Sequence, residues 1–271
     1  MNRLRLFTER TSADGSYLVR WMTGTDTKGI VQVDVPADVE DGKIASELVA
    51  ARWLLEEANV CGHDKSGAGL VIYFSTGAAK KLLRGESAKG SLAKYAHFLR
   101  TRFLGADIEV ESRPQQWATF DATATQLDAR AVKLEKLQLR GFGEVELTAH
   151  ALEQYVERLE RKPIRAWREL RLLLQDPKLY EVNINRRRVS ANLAHRNAGR
   201  FFYLPNRDII FVVTEANQFA PARIVTIYAA DAETKLRLSK PKHLTVEFED
   251  LGDDSTNDLD STLRSGLVQS L

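Results

Sequence analysis

Residues Gly69 to Ser75 read GLVIYFS, a continuous apolar run rich in β-branched and aromatic side chains. Such a run is the signature of a strand buried on both faces, so its neighbours in the chain have to supply a sheet and its cover. The preceding residues do so. Leu4 to Phe7, Tyr17 to Met22 and Ile30 to Val35 alternate as strands, with Asp14-Gly15 and Gly24 to Gly29 between them as turns, which predicts a three-stranded antiparallel meander. Lys43 to Ala58, KIASELVAARWLLEEA, sets Ile44, Leu48, Ala51 and Leu55 at helical spacing, so a helix buried on one side comes next, with Asp41 as its cap. Glu47 sits at the edge of that stripe. Its carboxylate either reaches water or lines a cleft. Beyond the apolar run, helical patterns at Ala78 to Leu83 and Leu92 to Leu104, an alternating strand at Asp107 to Glu111 and a long helix at Ala122 to Leu137 complete the first half.

Leu139 to Glu146, LQLRGFGE, carries two glycines around Phe142 and reads as a linker. After it come two helices, Leu147 to Arg161 with Thr148 as cap and Ile164 to Leu174 stopped by Asp176-Pro177, and then period-two strands. The strands are Tyr180 to Ile184, Arg200 to Leu204, Ile209 to Thr214 and Arg223 to Tyr228, with Pro205-Asn206 as a hairpin turn. The expected fold class is therefore mixed α/β and α+β in two domains. Residues 1–138 form a mixed sheet with helices, 139–146 a linker, 147–246 two helices on an antiparallel sheet, and 247–271 an acidic, disordered tail.

In order and local pattern, residues 3–138 resemble the ribonuclease H fold. LRLFTERTS is similar to that family's first strand, SELVAARWLL to its first helix, VIYFSTGAAKKLL to its fourth strand and the helix after it, and LDARAVKL to its last helix. The resemblance implies Glu9, Glu47 and Asp128 as ligands of two divalent cations, magnesium or manganese, that would cleave a phosphodiester. The match is incomplete: Glu9 is longer than the usual aspartate, and Gly77 stands where a further aspartate is called for. A cofactor is therefore expected only if these carboxylates converge. Residues 147–230 resemble the RelE-type ribonuclease toxins, through Thr148, His150, Ala151 and Arg158 in the first helix and Val225 to Tyr228 in the closing strand. That group grips RNA on a basic, aromatic sheet and cleaves it by attack of the ribose 2′-hydroxyl, without metal.

Charge points the same way. The chain carries +2, but the tail from Glu247 holds seven acidic residues against Arg264, which leaves +8 for the first 246 residues. Basic residues cluster at Arg158 to Arg171 and Arg186 to Arg200, the pattern of a surface that meets phosphates, although solvated charged faces look alike in sequence. Candidate nucleic-acid contacts are Arg158, Arg161, Arg186, Arg187, Arg188, Arg200 and Tyr203. His195 with Arg196 and Tyr228 form a candidate catalytic set, an imidazole for proton transfer and a guanidinium for phosphate.

The chain is expected to be cytoplasmic, since no run approaches the ~18 apolar residues of a membrane span and MNRLRLFTER lacks a secretory core. The lone Cys61 allows no internal disulfide, and Cys61-Gly-His63 reads as a loop before a metal site. The leading expectation is a nucleic-acid-binding regulatory protein, RNA ahead of DNA, with degenerate nuclease-like domains. The alternatives are a metal-independent endoribonuclease and a protein-interaction module of a mobile element.

Overall fold

A computed structural model describes residues 2–24, 26–62, 66–84, 90–113, 116–184, 199–218, 220–230 and 238–239. Two mixed sheets, each with its own core, make an α+β protein. In the first sheet, β1 (Asn2–Arg10), β2 (Ser16–Thr23) and β3 (Thr27–Asp34) form the antiparallel meander. The apolar run becomes β4 (Leu70–Phe74), parallel to β1, with β5 (Asp107–Val110) parallel to β4 at the edge. At the opposite edge β6 (Ala124–Asp128) pairs parallel to β3.

This last strand is a correction. A helix is expected over Ala122 to Leu137, yet the segment is β6, a single 3-10 turn at Ala129–Ala131 and the start of another strand. The tract ATQLD carries no apolar stripe of helical period, and an open edge beside β3 takes its backbone hydrogen bonds.

The helix α1 (Gly42–Glu56) lies on the sheet, capped by Asp41, whose Oδ1 accepts from the Ile44 amide at 3.3 Å. It is not buried on one side only. Ile44 to Ala51 are all buried, because α2 (Ala78–Leu83), α3 (Ala93–Arg100) and the turn at 129–131 cover the flank away from the sheet.

The second sheet holds β7 (Lys136–Leu139), β8 (Gly143–Leu147), β9 (Tyr180–Ile184), β10 (Gly199–Leu204), β11 (Ile209–Thr214), β12 (Arg223–Ala229) and β13 (Leu238–Ser239) in the order β13-β9-β10-β11-β12-β8-β7. Residues 139–146 are thus the turn and flanks of the β7–β8 hairpin, not a linker, with Gly141 and Gly143 at the positive φ values of 74° and 113° that the turn requires. The hairpin joins β12 in parallel, so the expected antiparallel sheet is mixed. Helices α4 (Ala149–Arg158) and α5 (Pro163–Leu173) cover one face, with Tyr155, Trp167 and Leu170 in the core beneath. Thr148 caps α4 as expected, its Oγ1 accepting from Ala151 at 3.1 Å.

The two units meet along α3 and α4. His97 donates from Nε2 to the Leu147 carbonyl at 2.7 Å, and burial lowers the imidazole pKa, so the ring is neutral there. Arg100 reaches Glu153 on α4 through Nε and Nη2, at 3.1 and 2.5 Å. Leu104 packs into the second core, and Arg52 donates to the Lys133 carbonyl at 2.7 Å.

The exit from α4 sets the course of the chain into α5. Glu160 takes φ 49°, its amide bonds to the Glu157 carbonyl at 3.4 Å, and the Arg161 amide bonds to the Val156 carbonyl at 2.9 Å. This is a Schellman turn with a glutamate where glycine is favoured, and left-handed backbone costs a side-chain-bearing residue roughly 1–2 kcal/mol. Glu160→Gly is expected to raise stability by about 1 kcal/mol, read as a higher urea midpoint at unchanged m-value. A lower midpoint would show that the Glu160 side chain contributes more than its backbone costs.

Candidate nucleic-acid interface

Glu47 is 1% exposed, its neighbours on α1 being buried on both flanks. Oε2 accepts the Ser75 amide at 3.1 Å, just past the end of β4, and the Thr8 and Ser75 hydroxyls lie against the carboxyl. Oε1, Thr8 Oγ1 and Ser75 Oγ find no well-directed partner among the described residues. Burial pushes the Glu47 pKa up, against the smaller opposing pull of these hydrogen bonds and of the Lys43 charge.

Its expected companions are elsewhere. Leu4, Leu6 and Thr8 are the buried side of β1, so Glu9 faces the opposite side of the sheet, where it pairs with Arg20. Asp128 ends β6 at the far edge. It is exposed, its Oδ1 accepts the Arg130 amide at 2.8 Å, and it lines an open groove of about 400 Å³ with Trp53 and Lys133. No group of three or more metal-binding side chains occurs among the described residues. The set Glu9, Glu47 and Asp128 is therefore not brought together, because strand parity separates the first two and the missing last helix displaces the third. Toward Glu47 the strand ends present hydroxyls, Thr8 and Ser75, in place of carboxylates. Cys61 is half-buried beside Thr23, with its thiol pKa raised by burial.

In the second unit Arg186, Arg187, Arg188, His195 and Arg196 lie outside the described residues. Two other basic candidates of this unit, Arg200 on β10 and Arg158 at the end of α4, are engaged by the fold. Arg200 makes a forked pair with Glu181, at 2.7 and 2.5 Å, and stacks 4.8 Å from the Phe142 ring centroid. Arg158 donates to the Ile227 carbonyl at 3.0 Å and covers the Tyr228 ring at 4.4 Å. Tyr203 is buried, donates to Asp208 at 3.0 Å and has its pKa pushed up to about 12 by burial and that carboxylate. These side chains hold the sheet and its turns together, so they are engaged within the fold and not open to a phosphate.

Exposed basic side chains stand instead on the helices. Arg165, Arg168 and Arg171 project from the exposed side of α5, with Ile164 39% and Leu172 63% exposed among them. None of the ion pairs among the described residues involves these arginines. Arg161, placed by the Schellman turn, stands half-buried against α5. Across from it is Arg207, in the β10–β11 turn, where Asp208 adopts φ 54° and Asn206 donates to Asp176 at 3.2 Å. The sequence pattern marks Arg161 for a nucleic-acid surface but passes over Arg207, which belongs to no local cluster.

No protein-family model, curated protein or solved structure matches this chain. No helix among the described residues is long and apolar enough to cross a membrane.

For a carboxyl group with a raised pKa in the folded state, stability is full below the unfolded value, here 4.5, and falls as pH rises toward the folded one. Glu47→Gln keeps the shape and removes that titration. Its melting temperature relative to the parent chain is expected to rise progressively as pH increases above 4.5, measured by thermal denaturation at a series of pH values from there upward. A flat difference would mean that Glu47 is charged and matched in the folded protein.

Proposed function

We propose that this protein binds nucleic acid along the outer face of α5, as a binding or regulatory protein in which the first unit serves assembly and not phosphodiester cleavage. The observation that carries the reading is the row Arg165, Arg168 and Arg171, exposed and outside every ion pair among the described residues. Exposed guanidinium groups outside ion pairs on a helix are suited to follow a phosphate backbone, because each can meet phosphate oxygens through a fork of donors. Leu172 and Ile164 add apolar area between them, against which sugars and bases can rest. Preference for RNA over DNA rests on the resemblance of residues 147–230 to the RelE-type ribonucleases. The ribonuclease H likeness of residues 3–138 supplies a fold with Thr8 and Ser75 beside Glu47 where that chemistry needs further carboxylates.

The test is fluorescence anisotropy of labelled RNA and DNA over salt from about 50 to 200 mM, with the RNA rerun on a gel to read cleavage. Affinity should fall log-linearly with salt, and Arg165→Ala with Arg168→Ala should flatten the slope by about 0.7 per arginine, the single-strand value. A slope unchanged by these substitutions removes α5 from the interface, and metal-independent cleavage would favour the endoribonuclease reading instead.

A further inference from the structure

Between the end of α4, α5 and the β10–β11 turn lies a cavity of about 220 Å³ lined by Tyr155, Arg161, Glu169, Leu172, Leu173 and Arg207. It is smaller than the ~300 Å³ at which pockets for drug-sized ligands begin, so its occupant is a small group or the end of a larger molecule. Its chemistry is cationic. Arg161 Nε is buried with no hydrogen-bond partner among the described residues, and Arg207 is exposed at the rim. Among the described residues Glu169 is the carboxylate that lines it, and it makes no ion pair with either guanidinium there: it accepts the Tyr155 hydroxyl at 3.3 Å. A buried, charged donor left without an acceptor is costly, and an anion reaching into the cavity would relieve it.

The cavity also continues the basic face of α5. Arg165 lies one turn before Glu169 and Arg168 one turn before Leu172, so both arginines share the flank that leads into it. We propose that this cavity is a subsite for the terminal phosphate of a nucleic-acid strand whose backbone follows Arg165 and Arg168. The inference rests on the nucleic-acid reading above and sharpens it: the protein recognises a strand end. A terminal phosphate monoester carries close to two negative charges at neutral pH, matching two guanidinium groups, whereas an internal diester carries one and would have to thread a strand through a space too small for it. Leu172 and Leu173 supply an apolar wall for the terminal sugar. Rigid mounting suits the role, since Arg161 hangs from a closed Schellman turn and Arg207 from a hairpin tied to Asp176.

The test compares one RNA sequence in three forms, with a 5′-phosphate, with a 3′-phosphate and with hydroxyls at both ends, binding to the full chain at fixed salt. One phosphorylated form is expected to bind about tenfold tighter than the hydroxyl form. Arg207→Ala, at an exposed turn position, and Arg161→Gln should each erase that preference, bringing the phosphorylated form to the affinity of the hydroxyl form measured with the same variant. Arg165→Ala should weaken all three forms alike. Equal affinity for the three forms would overturn the end-recognition proposal and leave binding along α5 standing. Absence of binding to any form would overturn both. A preference that survives both Arg161→Gln and Arg207→Ala would move the phosphate site away from this cavity.

Discussion

Burial of α1 on both flanks is the constraint on which the first unit depends. A helix with its sheet side and its outer side both covered has no edge at which Glu47 could reach water, so the carboxyl must be accommodated where it falls. Desolvation of a carboxylate outweighs what one amide donor and two poorly aimed hydroxyls return, so the neutral acid is favoured, which agrees in direction with its raised pKa. The same residue would be poised for metal chemistry if acidic neighbours faced it. Because the buried side of β1 presents Thr8 and places Glu9 on the opposite side of the sheet, the arrangement favours a neutral, hydrogen-bonded core group.

That core then sets the position of the second. The chain leaves β6 at the sheet edge, passes the 129–131 turn against α1 and enters β7 without a long connection. Arg52, on α1, fastens the crossing segment at the Lys133 carbonyl, and His97 and Arg100 on α3 fasten β8 and α4. A neutral imidazole is what this joint requires, since a charged one would have to be desolvated between two cores next to Arg52 and Arg100. The two sheets are therefore joined through side chains that are polar but satisfied, and α5 is left with its outer face open.

Much of this was legible in the chain. The meander, α1 and its Asp41 cap, β4, Thr148 as the cap of α4, and the strands from Tyr180 onward emerge from period and punctuation, because those segments pack against neighbours that their own pattern anticipates. The failures share a cause. Residues 124–128 become a strand because β3 offers them an edge, and 139–146 join a sheet because β12 offers another; neither partner lies nearby in sequence. The glycines around Phe142 mark a turn as readily as a linker, and only the pairing across Lys136–Leu139 and Gly143–Leu147 decides between them.

The arginines show why a basic cluster is an incomplete signal of a site. Arg158, Arg161, Arg165, Arg168 and Arg171 read as one group along the chain, yet they have different fates. Arg158 is drawn to a strand-end carbonyl and an aromatic ring, while the residue three positions on is turned by a left-handed glutamate into a cavity where its Nε has no partner among the described residues. Arg200 disappears into a fork with Glu181, and Arg207, which belongs to no cluster, arrives opposite Arg161 because the short turn between β10 and β11 carries it there. Net charge reports how many such groups a segment holds, but available positive charge depends on which acceptors the fold brings within reach. By that measure the α5 face, set by the helical spacing of Arg165, Arg168 and Arg171, is cationic surface outside the ion pairs of the described residues, and backbone turns add the cavity at its flank.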